Sequence, residues 1–322
     1  KYLLFGNVLK NHTYPLSVSA ERVFQAVAIA EYAKKIGADA IAHGSTGAGN
    51  DQVRFDLIFN VLAPEMEIIT PIRDMKLSRE EEVEFLKSHG VEKEWAKAKY
   101  SINKGLWGTS VGGAETLTSH QSLPEEAWPT KIVNRDGLMV EIGFEHGEPT
   151  SINGERLTPV QAIKKLQEIA QPYGIGRDIH VGDTIIGIKG RVGFEAAAPM
   201  ILIKAHQLLE KHVLGKWQLY WKDQLGEWYG MLMHEGQFLD PVMRDIEAFL
   251  ENTQQKVTGK VFVKLEPKQF ELIGIESEFD LMQSKHGQYG EMNQGWSGED
   301  VKGFTKILAN ATLIQQSVQN ND

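Results

Sequence analysis

A glycine-rich segment at residues 44–50 constrains the fold most, because it lies between a short apolar run and an amphipathic helical pattern. The apolar run, residues 40–43, is typical of a short buried strand, and apolar residues recur at helical spacing from Val53 to Val61. Open α/β sheets bind ligands at such strand–loop–helix junctions, where free backbone N–H groups and the helix dipole favour an anion. The segment therefore predicts an α/β fold with a ligand site at this loop.

Helix and strand patterns alternate on both sides of the loop. The spacing predicts a helix over residues 17–36, a strand over residues 66–70, and a helix over residues 79–89 with a capping box at its start. Elements of these lengths in this order favour a doubly wound α/β domain with a parallel sheet. We place the end of this domain at residue 92.

From residue 93 the pattern changes to that of an α+β domain. Residues 100–113 are predicted to be irregular because they are rich in glycine, and residues 138–144 to form a strand. The remaining predictions are a helix over residues 159–171 with a capping box of Thr158 and Gln161 at its start, helices from 199, over 217–228 and from 241, and a hairpin over 260–275. This second domain spans residues 93–297.

Two further features concern packing. The aromatic stripe Trp217, Tyr220, Trp221 and Trp228 has helical spacing and is interpreted as core or subunit interface rather than a cofactor site. A last helix over residues 299–308 and a polar tail from Gln315 form a C-terminal helical arm over residues 298–322. The tail is predicted to be frayed or packed on a neighbouring subunit.

The composition excludes several classes of function. The formal net charge of −9 argues against nucleic acid or an anionic membrane surface as a partner. No apolar stretch is long enough to span a bilayer, and the N-terminus has no signal-peptide pattern. Since the chain has no cysteine, disulfides, thiolate nucleophiles and cysteine-ligated metals are excluded. This composition fits the cytoplasm.

The residues after the glycines carry the polar groups of the candidate site. Asn50 and Asp51 lie four and three positions before Arg54, so all three project from one side of the helix start. An amide, a carboxylate and a guanidinium suit an amino acid ligand. In the alternative interpretation this is an ordinary loop, in which Asn50 only caps the helix and Asp51 only complements its dipole. The spacing alone leaves both open.

Familiar nucleotide and metal motifs are absent. Asn50 and Asp51 stand where a Walker A loop requires Lys and Ser or Thr, and the glycines do not complete GxGxxG. His206 and His212 are six residues apart and do not share a helical face, so they are interpreted as core or surface histidines. The sequence predicts no metal site.

Residues 43–55, HGSTGAGNDQVRF, closely resemble the substrate-loop signature of the argininosuccinate synthases. Further stretches resemble this family in the same order over nearly the whole chain. They are Tyr14-Pro15-Leu16, Leu62-Ala63-Pro64, Tyr100-Ser101-Ile102, Leu106-Trp107-Gly108, Gly176-Arg177, Gly187-Ile188-Lys189 and Val257-Thr258-Gly259. Several collinear motifs are more specific than any one of them.

The resemblance implies an AMP-forming carbon–nitrogen ligase of arginine biosynthesis that joins citrulline to aspartate through a citrullyl-adenylate. ATP would be a substrate, Mg²⁺ would bind with the nucleotide, and no cofactor would be tightly bound. Residues 1–92 would be the remainder of a nucleotide-binding domain with an incomplete doubly wound sheet, and residues 93–297 the synthetase domain. The family also implies a cytoplasmic homotetramer.

The resemblance implies the site residues as well. The expected citrulline contacts are Tyr14, Ser19, Asn50, Arg54, Ser101 and Ser110, and the expected aspartate contacts are Thr46, Asn50 and Asp51. Gly44 would approach ATP. Asp51 would orient, and as a hypothesis deprotonate, the attacking amine of aspartate.

The sequence departs from the family pattern at three places. Gly182 and Phe194 stand where many members have a glutamate and a tyrosine that line the citrulline site. Their loss would leave substrate atoms unpaired at a cost of about 1–3 kcal/mol each, unless Asp183 or Glu195 compensates. The family also opens with a pyrophosphatase loop that grips ATP, and no stretch here matches it. The chain is therefore expected to be incomplete, and the alternative is an inactive fragment or an amino-acid-binding protein without an ATP site.

Overall fold

The structure, a computed structural model, describes residues 1–91, 99–287, 289–290 and 295–319. Its helices are α1 (Tyr2–Phe5), α2 (Ser19–Ile36), α3 (Asp51–Leu62), α4 (Pro71–Met75), α5 (Arg79–Ser88), α6 (Pro159–Ala170), α7 (Ala197–Val213), α8 (Lys216–His234), α9 (Val242–Thr253), α10 (Gly298–Leu308) and α11 (Asn310–Gln319). Its strands are β1 (Ala40–Ala42), β2 (Glu67–Ile69), β3 (Ser101–Gly105), β4 (Gly108–Gly112), β5 (Leu138–Glu145), β6 (Glu148–Ile152), β7 (Glu155–Arg156), β8 (Arg177–Asp183), β9 (Lys189–Glu195), β10 (Gly259–Glu266) and β11 (Gln269–Glu276).

The fold is mixed α/β, with one parallel strand pair followed by antiparallel sheets. β1 and β2 pair in parallel, with Ala40 opposite Glu67, and α2 packs against α3 beside them. The later strands form a five-stranded antiparallel sheet in the order β11-β10-β5-β6-β7 and a four-stranded one in the order β3-β4-β9-β8. The glycine-rich loop follows β1 of the parallel pair, and the four-stranded sheet lies on the other side of a cleft from this loop.

Most predicted elements are confirmed. The helices and strands of the first 91 residues that the patterns predicted lie within two residues of the predicted bounds. Both predicted capping boxes form: the Glu81 N–H donates to the Ser78 side chain at 3.2 Å, and the Gln161 N–H donates to Thr158 at 3.4 Å. The predicted boundary between residues 92 and 93 lies outside the described residues and stays a prediction.

The prediction for residues 100–113 is wrong, because they form the antiparallel hairpin β3–β4. Gly105 pairs with Gly108 at its turn. Gly108 has φ +121°, and a Cβ there would lie 2.6 Å from Ser17 Oγ. The glycines thus mark a tight turn and a close approach to the segment around Ser17. In the sequence, glycines at such places look the same as glycines of a loop.

The tail is helical as far as Gln319 instead of frayed, since α11 continues almost directly from α10. Its glutamines are good helix formers, and Leu313, Ile314 and Val318 recur at helical spacing. Residues 320–322, the last part of the predicted tail, lie outside the described residues. Packing on a neighbouring subunit stays a prediction.

The aromatic stripe of α8 is not part of the core of this chain. Trp217, Tyr220, Trp221 and Trp228 are each more than half exposed. The buried face of α8 carries Tyr229 and Met233 instead, which pack with residues of α2, α3 and α9 in the main hydrophobic cluster. The interpretation of the stripe as part of the core is therefore wrong, and its interpretation as a subunit interface stays a prediction.

The chain divides into two compact units, Lys1–Glu278 and Phe279–Asp322. The second unit contains α10 and α11, and α10 starts with a capping box between Ser297 and Asp300. Every residue of the site described below belongs to the first unit. In the described part of the chain, no helix has the length and apolar character needed to cross a membrane.

Candidate functional site

A cleft of about 660 Å³ opens where β1 ends. It is bounded by the glycine-rich loop, the start of α2, the hairpin β3–β4, the strands β8 and β9, and the end of α8. The sequence-predicted residues that line it are Tyr14, Ser19, Gly44, Thr46, Asn50, Asp51, Arg54 and Ser110. Residues as far apart in the chain as Tyr14 and Ser110 therefore meet here, as a single site requires.

Ser101 is the one predicted site residue that is not among the lining residues. It is exposed at the start of β3, two positions before Asn103, so both lie on the same face of the strand. Asn103 does line the cleft and pairs with Ser110 across the hairpin. The assignment of Ser101 to citrulline stays a prediction.

Asp51 is held by two guanidinium groups. Its Oδ1 accepts from Arg54 at 3.0 Å, and its Oδ2 accepts from Arg22 Nε at 3.0 Å. Arg22 also donates to Asn103 Oδ1 at 3.2 Å, which ties α2 to the hairpin. Arg22 was not predicted, although its place three residues after Ser19 on one helix face was a usable signal. The carboxylate is thus fixed in orientation at the cleft.

Arg54 is buried and already has protein partners on all three nitrogens. Besides Asp51, its Nε donates to the His234 carbonyl at 2.9 Å and one terminal nitrogen donates to His234 Nδ1 at 3.1 Å. Burial lowers the pKa of the guanidinium, and the charge of Asp51 opposes that shift. Since arginine has five N–H donors, two remain for a ligand.

The side chain of Asn50 does not cap α3, although the residue occupies the N-cap position. Its Oδ1 accepts instead from the Ile185 N–H at 2.8 Å, which ties the loop to the turn between β8 and β9. Gln52, in the first turn of α3, also holds the loop, because its side chain donates to the Gly47 carbonyl at 2.6 Å. Because Oδ1 is engaged, the amide nitrogen is the group of the Asn50 side chain that remains for a ligand.

His43 fixes the first residues of the loop. The Ser45 N–H donates to His43 Nδ1 at 3.3 Å, so Nε2 carries the proton and donates to Asp56 Oδ1 at 2.8 Å. Arg73 binds the other oxygen of Asp56 at 2.5 Å. These contacts are too far apart in the chain for spacing to predict them, and only the position of His43 beside the first glycine indicated a role.

Two imidazoles form the far wall of the cleft, and neither was predicted. Because Arg54 donates to His234 Nδ1, that ring is neutral with its proton on Nε2. Burial, and then the charges of Arg54 and Lys10, lower the pKa of His234 to about 3. His180 stacks on Tyr14 with ring centroids 5.1 Å apart, and burial followed by Lys10 lowers its pKa to about 4.

The two departures from the family pattern lie at this wall. Gly182 lines the cleft, and Phe194 is fully buried against Tyr14 with ring centroids 5.4 Å apart. Glu195 does not compensate, because its buried carboxylate binds Arg177 at 2.8 Å and is not among the lining residues. Asp183 does line the cleft, but its carboxylate pairs with Lys189 at 2.7 Å.

The histidines of α7 play no part in this site. His206 is fully buried and lies within hydrogen-bond distance of Asn7 and Gln254, as the core interpretation predicted. Within the described ranges, no three histidine or acidic side chains come together as a set that could hold a metal ion.

Comparison with known proteins finds two family models that together match most of the chain. Residues 3–92 match the family model described as the arginosuccinate synthase N-terminal HUP domain, and residues 100–314 match the arginosuccinate synthase C-terminal domain. The argininosuccinate synthase of Methanocaldococcus jannaschii is 41% identical over 271 residues, covering 83% of this chain and 69% of that protein. That of Dictyoglomus thermophilum is 38% identical, covering 94% and 77%, and that of Sulfurisphaera tokodaii is 35% identical, covering 99% and 82%.

Proposed function

The chain belongs to the argininosuccinate synthase family, and from that premise we propose that its cleft ligates citrulline to aspartate with conversion of ATP to AMP and pyrophosphate. The observation that carries this proposal is that Tyr14, Ser19, Asp51, Arg54 and Ser110, far apart in the chain, line one cleft beside the glycine-rich loop. Such a set of hydroxyls, a carboxylate and a guanidinium suits amino acid substrates.

The reaction has two displacements. In the first, the ureido oxygen of citrulline attacks the α-phosphorus of ATP, the bond to the β-phosphate oxygen breaks, and pyrophosphate leaves. In the second, the amine of aspartate attacks the ureido carbon, the bond from that carbon to the adenylate oxygen breaks, and AMP leaves as the amine loses its proton. Both need alignment and charge neutralisation rather than a protein nucleophile.

The charge of the cleft fits these substrates. Arg22, Arg54 and Arg191 line it, against the carboxylates of Asp51 and Asp183. An excess of guanidinium groups favours ligands that carry carboxylates and phosphates. Mg²⁺ is assigned to ATP as part of that substrate, and the loop backbone at Gly44 is assigned to the approach of the nucleotide.

The substrates divide between the two sides of the loop. Citrulline is assigned to Tyr14, Ser19, Ser110 and the two remaining N–H groups of Arg54, with Ser101 nearby. Aspartate is assigned to Thr46 and Asp51, with Asp51 orienting the attacking amine. Asn50 serves both through its amide nitrogen, since its oxygen binds the Ile185 N–H.

The organisation of the whole protein is proposed on the same basis. Residues 1–92 belong to the nucleotide-binding domain with its doubly wound sheet, residues 93–297 to the synthetase domain, and residues 298–322 to a C-terminal arm. The support is that the two family models match on either side of residues 93–99. We propose a cytoplasmic homotetramer, in which exposed apolar side chains of α10 and α11 pack on another subunit.

The direct test is an assay of the products. With citrulline, aspartate and MgATP, we expect argininosuccinate, AMP and pyrophosphate in equal amounts, measured by mass spectrometry, and none of them when citrulline is omitted. A preparation that binds both amino acids but forms no product would show a binding protein instead of a ligase.

A further inference from the structure

In the part of the chain that the structure describes, the wall of the cleft at β8 has no unpaired carboxylate among its lining residues. His180 and Gly182 are two positions apart and buried on the same face of this strand. A Cβ at Gly182 would lie 2.5 Å from His180 Nε2 and 3.1 Å from Asn11 Nδ2. The imidazole therefore fills the space that any side chain at position 182 would need.

The charges around this wall are unfavourable for a cation. Burial and the charge of Lys10 lower the pKa of His180, and burial with the charges of Arg54 and Lys10 lowers that of His234, so both imidazoles are neutral. The carboxylates among the lining residues are those of Asp51 and Asp183, and each already pairs with a cationic side chain. An ammonium group bound beside His180 and Gly182 would meet no unpaired carboxylate among the described residues of the lining.

His180 offers a different kind of contact. Its side chain is more than nine-tenths buried, and its Nδ1 has no hydrogen-bond partner among the described residues. A neutral imidazole nitrogen is complemented by an amide, which provides both a donor and an acceptor. It is complemented less well by an ammonium group, whose charge needs compensation in a buried site.

Citrulline carries one cationic group at neutral pH, the α-ammonium. We propose that the ureido-acid subsite of this chain takes α-N-acylated ureido acids at least as readily as citrulline, with His180 over Gly182 as the specificity-determining pair. The inference rests on the proposed function and leaves the ureido chemistry unchanged.

The test compares affinities on the 322-residue chain by calorimetry, with citrulline, N-acetylcitrulline and 5-ureidopentanoate as probes. We expect N-acetylcitrulline to bind at least as tightly as citrulline. Two double variants isolate the charge: His180→Ala with Gly182→Glu, and His180→Ala with Gly182→Gln, which has nearly the same volume without the charge. The glutamate variant should favour citrulline over N-acetylcitrulline by roughly tenfold or more relative to the glutamine variant.

The outcomes separate this inference from the proposed function. If the unsubstituted chain binds citrulline more tightly than N-acetylcitrulline, the inference is wrong and the proposed function stands. If none of the three ureido compounds binds, the proposed function itself fails. The affinities of the unsubstituted chain for citrulline and N-acetylcitrulline test the inference even where a double variant does not fold.

Discussion

Arg54 is the residue on which most contacts of the cleft converge. Its guanidinium holds Asp51 at the start of α3 and both the carbonyl and the ring of His234 at the end of α8. The Arg54 side chain thus orients Asp51, which is proposed to bind the substrate aspartate, and it keeps the imidazole of His234 neutral. Its removal should affect substrate binding and local stability together.

We predict that Arg54→Ala raises the KM for citrulline by about tenfold or more, because a charge-assisted hydrogen bond contributes about 1.5–3 kcal/mol. Arg54→Lys should not restore it, since an ammonium group lacks the planar fork. Steady-state kinetics measure both. Arg156→Ala, which breaks an exposed pair with Glu145, is the control. An unchanged KM for citrulline in a folded Arg54→Ala protein would contradict the assignment.

The two wall histidines make stability depend on pH. The pKa values of His234 and His180 in the folded state are about 3 and about 4, below the ordinary value of 6.5. Between these folded-state values and pH 6.5, the unfolded chain therefore binds more protons than the folded one. The unfolding free energy should therefore fall as the pH drops from about 6.5 toward 4. Each histidine contributes a slope of up to about 1.4 kcal/mol per pH unit.

Urea unfolding between pH 4.5 and 8 tests this prediction. His180→Phe keeps a ring beside Tyr14 but removes the titrating group, so its stability should depend less steeply on pH below 6.5. Above pH 7.5 the two proteins should differ by a constant amount, which serves as the internal reference. Parallel curves over the whole range would show that His180 is not buried in its neutral form.

At the scale of elements, α2 positions the hairpin β3–β4 against the loop. Glu21 accepts from the Leu106 N–H at 2.8 Å, while its neighbour Arg22 binds Asp51 and Asn103. Successive residues of one helix thus hold the two sides of the cleft. The hairpin therefore acts as a structural support for the site, and its turn has little room for change.

We predict that Gly108→Ala lowers the unfolding free energy by about 1–3 kcal/mol, because a residue with a Cβ is strained at φ +121°. The added atom would also lie 2.8 Å from Ala196 Cβ. Gly112→Ala, in the same strand and with open space around it, is the matched control and should change stability little. Equal effects of the two substitutions, measured by urea unfolding, would exclude a special role for Gly108.

Local patterns predicted local structure well and long-range structure poorly. The spacing of Asp51 and Arg54 and the capping boxes at Ser78 and Thr158 involve neighbours within one helix, and the structure contains them. The hairpin at Gly108 was missed because a tight turn and a loop use the same residue. The contact of Arg54 with His234 joins residues 180 positions apart, which no local period encodes.

At the scale of the whole molecule, the cleft is assembled from elements that span residues 14–234. The resemblance to a family pointed to most of the predicted residues that line the cleft, whereas Arg22, His180 and His234 were not predicted. Nor could periodicity distinguish the exposed stripe of α8 from a buried one, since both have helical spacing. Packing decides between them.

Exposed apolar residues of α10 carry the prediction on assembly. Phe304, Ile307 and Leu308 share one face of this helix and are exposed in the single chain. Ile307→Glu should dissociate the proposed homotetramer, while Lys306→Glu, on another face of the same helix, should not. Light scattering after size-exclusion chromatography measures both masses. A monomeric unsubstituted protein would refute the proposed assembly.

The most direct test of the proposed division of the cleft is Asp51→Asn. Asparagine keeps the volume and an acceptor for Arg54 but removes the charge. Two rates are compared on the enzyme: citrulline-dependent exchange of labelled pyrophosphate into ATP, and aspartate-dependent release of AMP. We predict that the exchange persists while AMP release collapses, because aspartate enters only after adenylation. Loss of both rates together in a folded protein would place Asp51 in the ATP or citrulline site and contradict the division.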